Sequence, residues 1–213
     1  MFDTVLRRRL AGPLEWAAAA IDVRWVSPNR LTAAGLVIGL GSALAAAATA
    51  WNVALVLWLV SRTIDGLDGA LARHRAGAGA KQDIAGSTSA AGGFLDIVAD
   101  FIVYGCTVVG VAVGATRAEG AQWWPFLLVL LAYYVNGTAF LAFSSIAERT
   151  GRQIDDGRSL SFLGGLAEGA ETIVVHSLWL VFPGQAGPIA IGWALVVGVS
   201  GAQRAVAGYA ALR

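Results

Sequence analysis

The sequence predicts an all-α, polytopic membrane protein: six transmembrane helices, preceded by an amphipathic helix on the membrane surface. Composition, segment length and the placement of basic residues each point that way. Of the 213 residues, 57% are hydrophobic and 14% are charged, and the mean hydropathy is +0.66. Soluble domains carry roughly 25% charged residues, so this chain has too little polar surface to cover a water-soluble core. Six apolar segments run over about 31–50, 52–72, 92–114, 123–145, 164–182 and 187–208, each near the ~20 residues that cross a bilayer as a helix. Residues 1–213 read as a single domain, with a juxtamembrane segment at 1–28 and a membrane core at 31–208.

The first thirty residues hold Arg7, Arg8 and Arg9 without a continuous apolar run ending in a cleavage site, unlike a secretory signal. Leu6, Leu10, Leu14, Ile21 and Trp25 fall on one helical face, which suits a helix lying in the interface. Ser27-Pro28-Asn29 then marks a break and the start of the first span. The boundary between the first two spans is only Trp51-Asn52.

Charge placement gives the orientation. With the N-terminus inside, cytoplasmic parts hold Arg7, Arg8, Arg9, Arg24, Arg30, Arg73, Arg75, Lys81, Arg149, Arg152 and Arg158, whereas the external loops hold Arg117. Trp51, Trp123 and Trp124 fall at the outer interface, as an aromatic belt would. The expected location is the inner, or plasma, membrane. The lone Cys106 excludes a disulfide framework or a cysteine metal site. The net charge of +1 gives no reason to expect a nucleic-acid partner.

Four carboxylates break the apolar pattern. Asp65 and Asp68 lie near the inner end of the second span, Asp96 and Asp100 near the inner start of the third. Spacings of three and four put each pair on one helical face. An ionised Asp at the centre of a membrane helix costs roughly 2.5–3.5 kcal/mol on insertion scales, so a binding partner is expected to offset the cluster. Hard oxygen ligands suit Mg²⁺ or Mn²⁺, as one ion or two. Gly66, Gly69, Gly92 and Gly93 let a ligand or another backbone approach closely, and Arg73 can pair with a phosphate. Carboxylates, metal, glycines and an arginine at the cytoplasmic face suit a nucleotide diphosphate and phosphoryl transfer.

The order Asp65-x-x-Asp68-Gly69-x-x-Ala72-Arg73, then Gly92-x-x-x-Asp96-x-x-x-Asp100, resembles the signature of the CDP-alcohol phosphotransferase (CDP-alcohol phosphatidyltransferase) family at all eight fixed positions. The resemblance implies a metal-dependent transferase of substituted phosphate groups in phospholipid biosynthesis. Such an enzyme moves a phosphatidyl group from a CDP-linked lipid donor to an alcohol acceptor and releases CMP. It implies that Asp65, Asp68, Asp96 and Asp100 are metal ligands and that Asp100 is also the general base. Gly69, Ala72, Arg73 and Gly92 are expected to line the nucleotide pocket, and the protein is expected to be a homodimer. CDP-diacylglycerol is the favoured donor, because its product would be a phospholipid made at the membrane. One departure stands out: residues 74–91 separate Arg73 from Gly92, about ten more than the family pattern holds. This Gly/Ala/Ser-rich insertion is expected to be a flexible loop, where extra length is tolerated.

Further candidates lie outside the signature. Arg149, Arg152, Glu168 and Glu171 are candidates for an acceptor pocket, with a solvated loop and plain interfacial acids as the alternatives. Arg62, one turn before Asp65, reads as its charge-compensating partner. Asn29 and Thr32 either reach the nucleotide or cap a helix; His176 and Asn136 read as interhelical packing groups. Two rival functions remain: a divalent-cation transporter and a non-catalytic lipid-binding subunit. A transporter requires acids distributed along a path through the bilayer, whereas these four gather at one face.

Overall fold

The computed structural model of the protein describes residues 12–77, 82–151 and 166–213. Every regular element among them is helical: α1 (residues 12–20), α2 (Pro28–Ala47), α3 (Trp51–Gly77), α4 (Gln82–Glu119), α5 (Trp124–Thr150), α6 (Gly169–Val181), a 3₁₀ turn (Pro183–Gln185) and α7 (Ala186–Leu212). Among the described residues, four helices are long and apolar enough to cross a membrane: Pro28–Ala47, Ala90–Glu119, Trp124–Thr150 and Pro183–Leu212. They correspond to the first, third, fourth and sixth expected spans. The other two fall short for different reasons. The opening eighteen residues of α3 contain Arg62, Asp65 and Asp68, and α6 has 13 residues, about 20 Å of helix against a hydrocarbon core of about 30 Å.

Local chemistry fixes the starts and stops. α2 begins at the expected break, with Ser27 as N-cap accepting from the Arg30 amide and Pro28 at the first turn, where its missing N–H costs nothing. Three residues separate its end at Ala47 from Trp51: Thr49 takes a left-handed φ of 63°, and the amides of Ala48, Thr49 and Ala50 donate to Leu44, Ala46 and Ala45 carbonyls. The break therefore falls at residues 48–50, ahead of Trp51-Asn52. The segment 74–91 departs from expectation. Residues 74–77 continue α3 and residues 82–91 belong to α4, so much of the expected loop is helix. Extending an existing helix needs no new nucleation, which lets even a Gly/Ser-containing stretch join α4.

The packing is organised around α2. It lies against both α3 and α4, while α3 and α4 scarcely touch each other. The buried face of α2 holds Thr32, Gly35, Gly39, Ser42, Ala43 and Ala46, small residues at helical spacing. Opposite it, a Cβ on Gly110 or Gly114 of α4 would collide with the Ala43 or Ala46 carbonyl. Small residues admit this close approach, the usual basis of helix association in lipid. α5 packs chiefly on α7, and α6 bridges α3 and α7. The shared core contains Trp58, Val103, Val108, Val111, Phe126, Val129, Trp179, Leu180, Trp193 and Val197. Large apolar side chains such as Val37, Leu44, Leu131, Leu195 and Val206 remain exposed on the outside, where lipid is a suitable solvent.

At the opposite end of the bundle from Trp51, α1 docks on α3: Ala18, Ala70 and Leu71 are buried together, with Leu14, Val26 and Leu31 around them. Arg75 fastens the segment that connects α1 to α2. Its guanidinium donates to Asp22 Oδ1 from Nε at 2.8 Å and Nη2 at 2.6 Å, and Nη2 also reaches the Val26 carbonyl at 2.8 Å. Arg7, Arg8, Arg9, Lys81, Arg152 and Arg158 lie outside the described residues.

Candidate active site

The acids of the two helices converge at one end of the bundle. Asp65 and Asp68 on α3 face Asp96 on α4, and one carboxylate oxygen from each lies within 4.8 Å of the others. Because α2 keeps α3 and α4 apart, a gap is left into which these side chains project. An all-oxygen trio of this size fits a hard divalent cation, so these residues suit Mg²⁺ or Mn²⁺. Asp68 is buried, and its Oδ2 accepts from the Thr32 hydroxyl of α2 at 2.5 Å.

Asp100 is held differently. Its Oδ1 lies 2.5 Å from Nη1 of Arg62, which is also 3.7 Å from Asp65 Oδ1. Arg62 therefore compensates two acids, and the closer contact is to Asp100. The guanidinium is flanked by the rings of Trp58 and Tyr104, at 5.3 and 5.2 Å from their centroids. Helical spacing could have revealed the Trp58 half of this clamp, four residues before Arg62 on the same helix; the Tyr104 half comes from α4, where Tyr104 stands four residues after Asp100.

The signature's glycines let polar side chains approach closely beside the acids. A Cβ on Gly69 would stand 3.2 Å from Nη1 of Arg73, so that guanidinium lies over the glycine. A Cβ on Gly92 would stand 3.1 Å from Asn29 Oδ1, which brings Asn29 to the rim. Ala72 and Arg73 are exposed on the same end of α3. With Ser27 as the cap, Thr32 is free for its contact to Asp68, a role sequence reasoning did not assign.

The remaining candidates belong to other elements. Glu168 is the N-cap residue of α6 and Glu171 lies in its first turn, where negative charge complements the helix dipole. Glu171 also lines an open groove of about 580 Å³ with Val174, Val175, Ile189, Trp193 and Val196. Arg149 is exposed in the last turn of α5, and Arg152 lies outside the described residues. His176 and Asn136 are packing groups, as expected. His176 Nε2 is 2.9 Å from the Tyr133 hydroxyl, with the ring stacked on Trp58; Asn136 Oδ1 accepts from Arg204 at 3.1 Å.

Fold and site together define a helical, membrane-type protein whose chemistry centres on acidic side chains at one end of the bundle. Comparison with known proteins narrows this. A family model described as CDP-alcohol phosphatidyltransferase matches residues 25–200. The chain is 36% identical over 189 residues to the inner membrane protein YnjF of Escherichia coli (strain K12), covering 86% of this chain and 83% of that one. Its fold is similar to that of Mycobacterium tuberculosis phosphatidylinositol phosphate synthase (PgsA1), whose crystal structure has CDP-DAG bound. The TM-score is 0.66 at 18% identity, covering 94% of each chain. The chain belongs to the CDP-alcohol phosphatidyltransferase family, and is thus a transferase of substituted phosphate groups.

Proposed function

We propose that the protein transfers a phosphatidyl group from CDP-diacylglycerol to an alcohol acceptor, releasing CMP, at the cytoplasmic face of the inner membrane. The observation that carries this reading is the convergence of Asp65, Asp68 and Asp96 beside Asp100 in the gap between α3 and α4. The fold shared with a synthase crystallised with CDP-DAG supports a CDP-linked lipid as donor. The gap lies at the end of the bundle where Arg24, Arg30, Arg73 and Arg75 gather, which supports a cytoplasmic site. In this reading α3 and α6 complete six spans, α1 lies in the interface with Trp16 and Trp25 exposed to it, and the enzyme works as a homodimer.

Asp65, Asp68 and Asp96 would hold Mg²⁺ or Mn²⁺, one ion or two, with Asp100 beside them on Arg62. The metal supplies charge neutralisation at the transferring phosphate. Gly69, Ala72 and Gly92 leave room for the cytidine nucleotide, and Arg73 swings from Gly69 to a phosphate oxygen. Asp100 accepts the proton of the acceptor hydroxyl. The hydroxyl oxygen forms a bond to phosphorus, the bond from phosphorus to the CMP oxygen breaks, and CMP leaves with that electron pair. Arg149, Arg152, Glu168 and Glu171 are the candidates for recognising the acceptor.

The test is CMP release by purified protein from CDP-diacylglycerol with Mg²⁺ or Mn²⁺, across a panel of acceptor alcohols. Acceptor-dependent CMP release, abolished by chelator and reduced at least about 10²-fold in Asp100→Asn, is the expected result. Absence of CMP with every acceptor refutes the assigned donor. Metal flux into proteoliposomes in that case would favour the transporter.

A further inference from the structure

Arg62 is an expensive residue to keep where it stands. Its side chain is 4% exposed, inside the bundle, and an arginine at such depth is retained when it has a specific task. Its surroundings fix it closely. The faces of Trp58 and Tyr104 flank the guanidinium, a geometry that stabilises and orients a planar cation. Nη2 donates to Ser61 Oγ at 3.1 Å, and Ser61 Oγ in turn donates to the Gly35 carbonyl of α2 at 2.7 Å. α2, α3 and α4 thus all contribute to holding this one group. What remains for Nη1 is a short contact to Asp100 and a longer one to Asp65.

The result is a sorting of the four acids. Asp96 and Asp100 share a face of α4, yet Asp96 joins the trio with Asp65 and Asp68 while Asp100 turns to the guanidinium. A divalent cation gains from each further carboxylate oxygen, so an unrestrained Asp100 would be drawn to it and would be lost as a proton acceptor. A fixed positive charge on Asp100 opposes that, and the same charge repels a dication close by. We propose that Arg62 is a positioning residue that keeps Asp100 out of the ligand set of the trio's metal ion and holds it for the acceptor hydroxyl. This rests on the proposed phosphatidyl transfer, with its trio of metal ligands and Asp100 as base.

The two effects of Arg62 pull metal affinity and turnover in opposite directions, and a merely structural residue would not. Full-length wild type, Arg62→Gln and Arg62→Lys are compared in detergent. Mn²⁺ binding is read by electron paramagnetic resonance, and steady-state CMP release from CDP-diacylglycerol is measured with the best acceptor. Arg62→Gln is expected to bind Mn²⁺ about tenfold tighter or more while kcat falls about 10²-fold, with acceptor KM changed less than about threefold. Arg62→Lys keeps the charge without the planar fork; it is expected to hold Mn²⁺ affinity near wild type and recover part of kcat. Loss of Mn²⁺ affinity together with turnover in Arg62→Gln overturns the inference, as does unchanged turnover. Wild type that neither binds Mn²⁺ nor releases CMP overturns the phosphatidyl-transfer reading, and this inference with it.

Discussion

The width of the gap between α3 and α4 is set by how closely each approaches α2, so one added methyl on that contact should cost activity far from the chemistry. Gly110→Ala supplies it. The new Cβ would collide with the Ala43 carbonyl oxygen and stand 2.9 and 3.0 Å from the Ala43 carbonyl carbon and Cα. Relaxed contacts between carbons lie at about 3.5–4.0 Å, so α4 must move from α2 by about 0.5–1 Å. Overpacking of this kind costs about 1–3 kcal/mol, partly offset by the roughly 1 kcal/mol that alanine gains over glycine in a helix. A displacement near 1 Å that carries Asp96 and Asp100 with it lowers turnover by about 10²-fold. Gly105→Ala is the internal control: it lies on the same helix, and its Cβ would meet nothing within 4 Å. Thermal unfolding in detergent and CMP release are measured for both. Gly110→Ala with the turnover and stability of Gly105→Ala would refute the spacer argument.

Other consequences follow from single contacts. Thr32→Val removes the hydroxyl that donates to Asp68; loss of such outer partners weakens metal affinity or activity by about 10–100-fold, which Mn²⁺ titration reads directly. Thr49→Gly relieves a left-handed φ of 63° on a β-branched residue, so it should stabilise the fold by about 1 kcal/mol, seen as a higher melting temperature with unchanged CMP release.

Much of this architecture was legible in the sequence, and the failures have physical causes. The helical class and four spans follow from long apolar runs, because the bilayer demands both length and internal hydrogen bonding. The convergence of Asp65, Asp68 and Asp96 followed from spacing and topology alone. The pairing of Arg62 with Asp65, one turn on, did so as well. Its closer contact, to Asp100, did not, because no spacing within one helix reveals how α3 and α4 face each other. For Thr32 the sequence left nucleotide contact and helix cap as alternatives; Ser27 takes the cap, and the Thr32 hydroxyl bonds to Asp68 of another helix, 36 residues away. The Arg75–Asp22 clasp joins residues 53 apart in sequence and left no local signal. The 74–91 insertion was misread because Gly/Ser content was weighed without the long helix it extends.

In the proposed six-span topology, the charges that disqualify α3 as an apolar helix bear on how the protein is made. Arg62, Asp65 and Asp68 each oppose insertion by up to roughly 2.5–3.5 kcal/mol, less near the helix end, so α3 is a poor guest of the membrane by itself. Only three residues join it to α2, and the pair is disposed to enter as a hairpin. α3 alone should fail to insert in a translocon assay where the α2–α3 pair succeeds; equal insertion of the two would refute this. The acids then await α4, whose arrival brings Asp100 to Arg62 and Asp96 to the other two. Chain order thus becomes assembly order, and a nascent protein lacks its reactive centre until its third long helix has been synthesised.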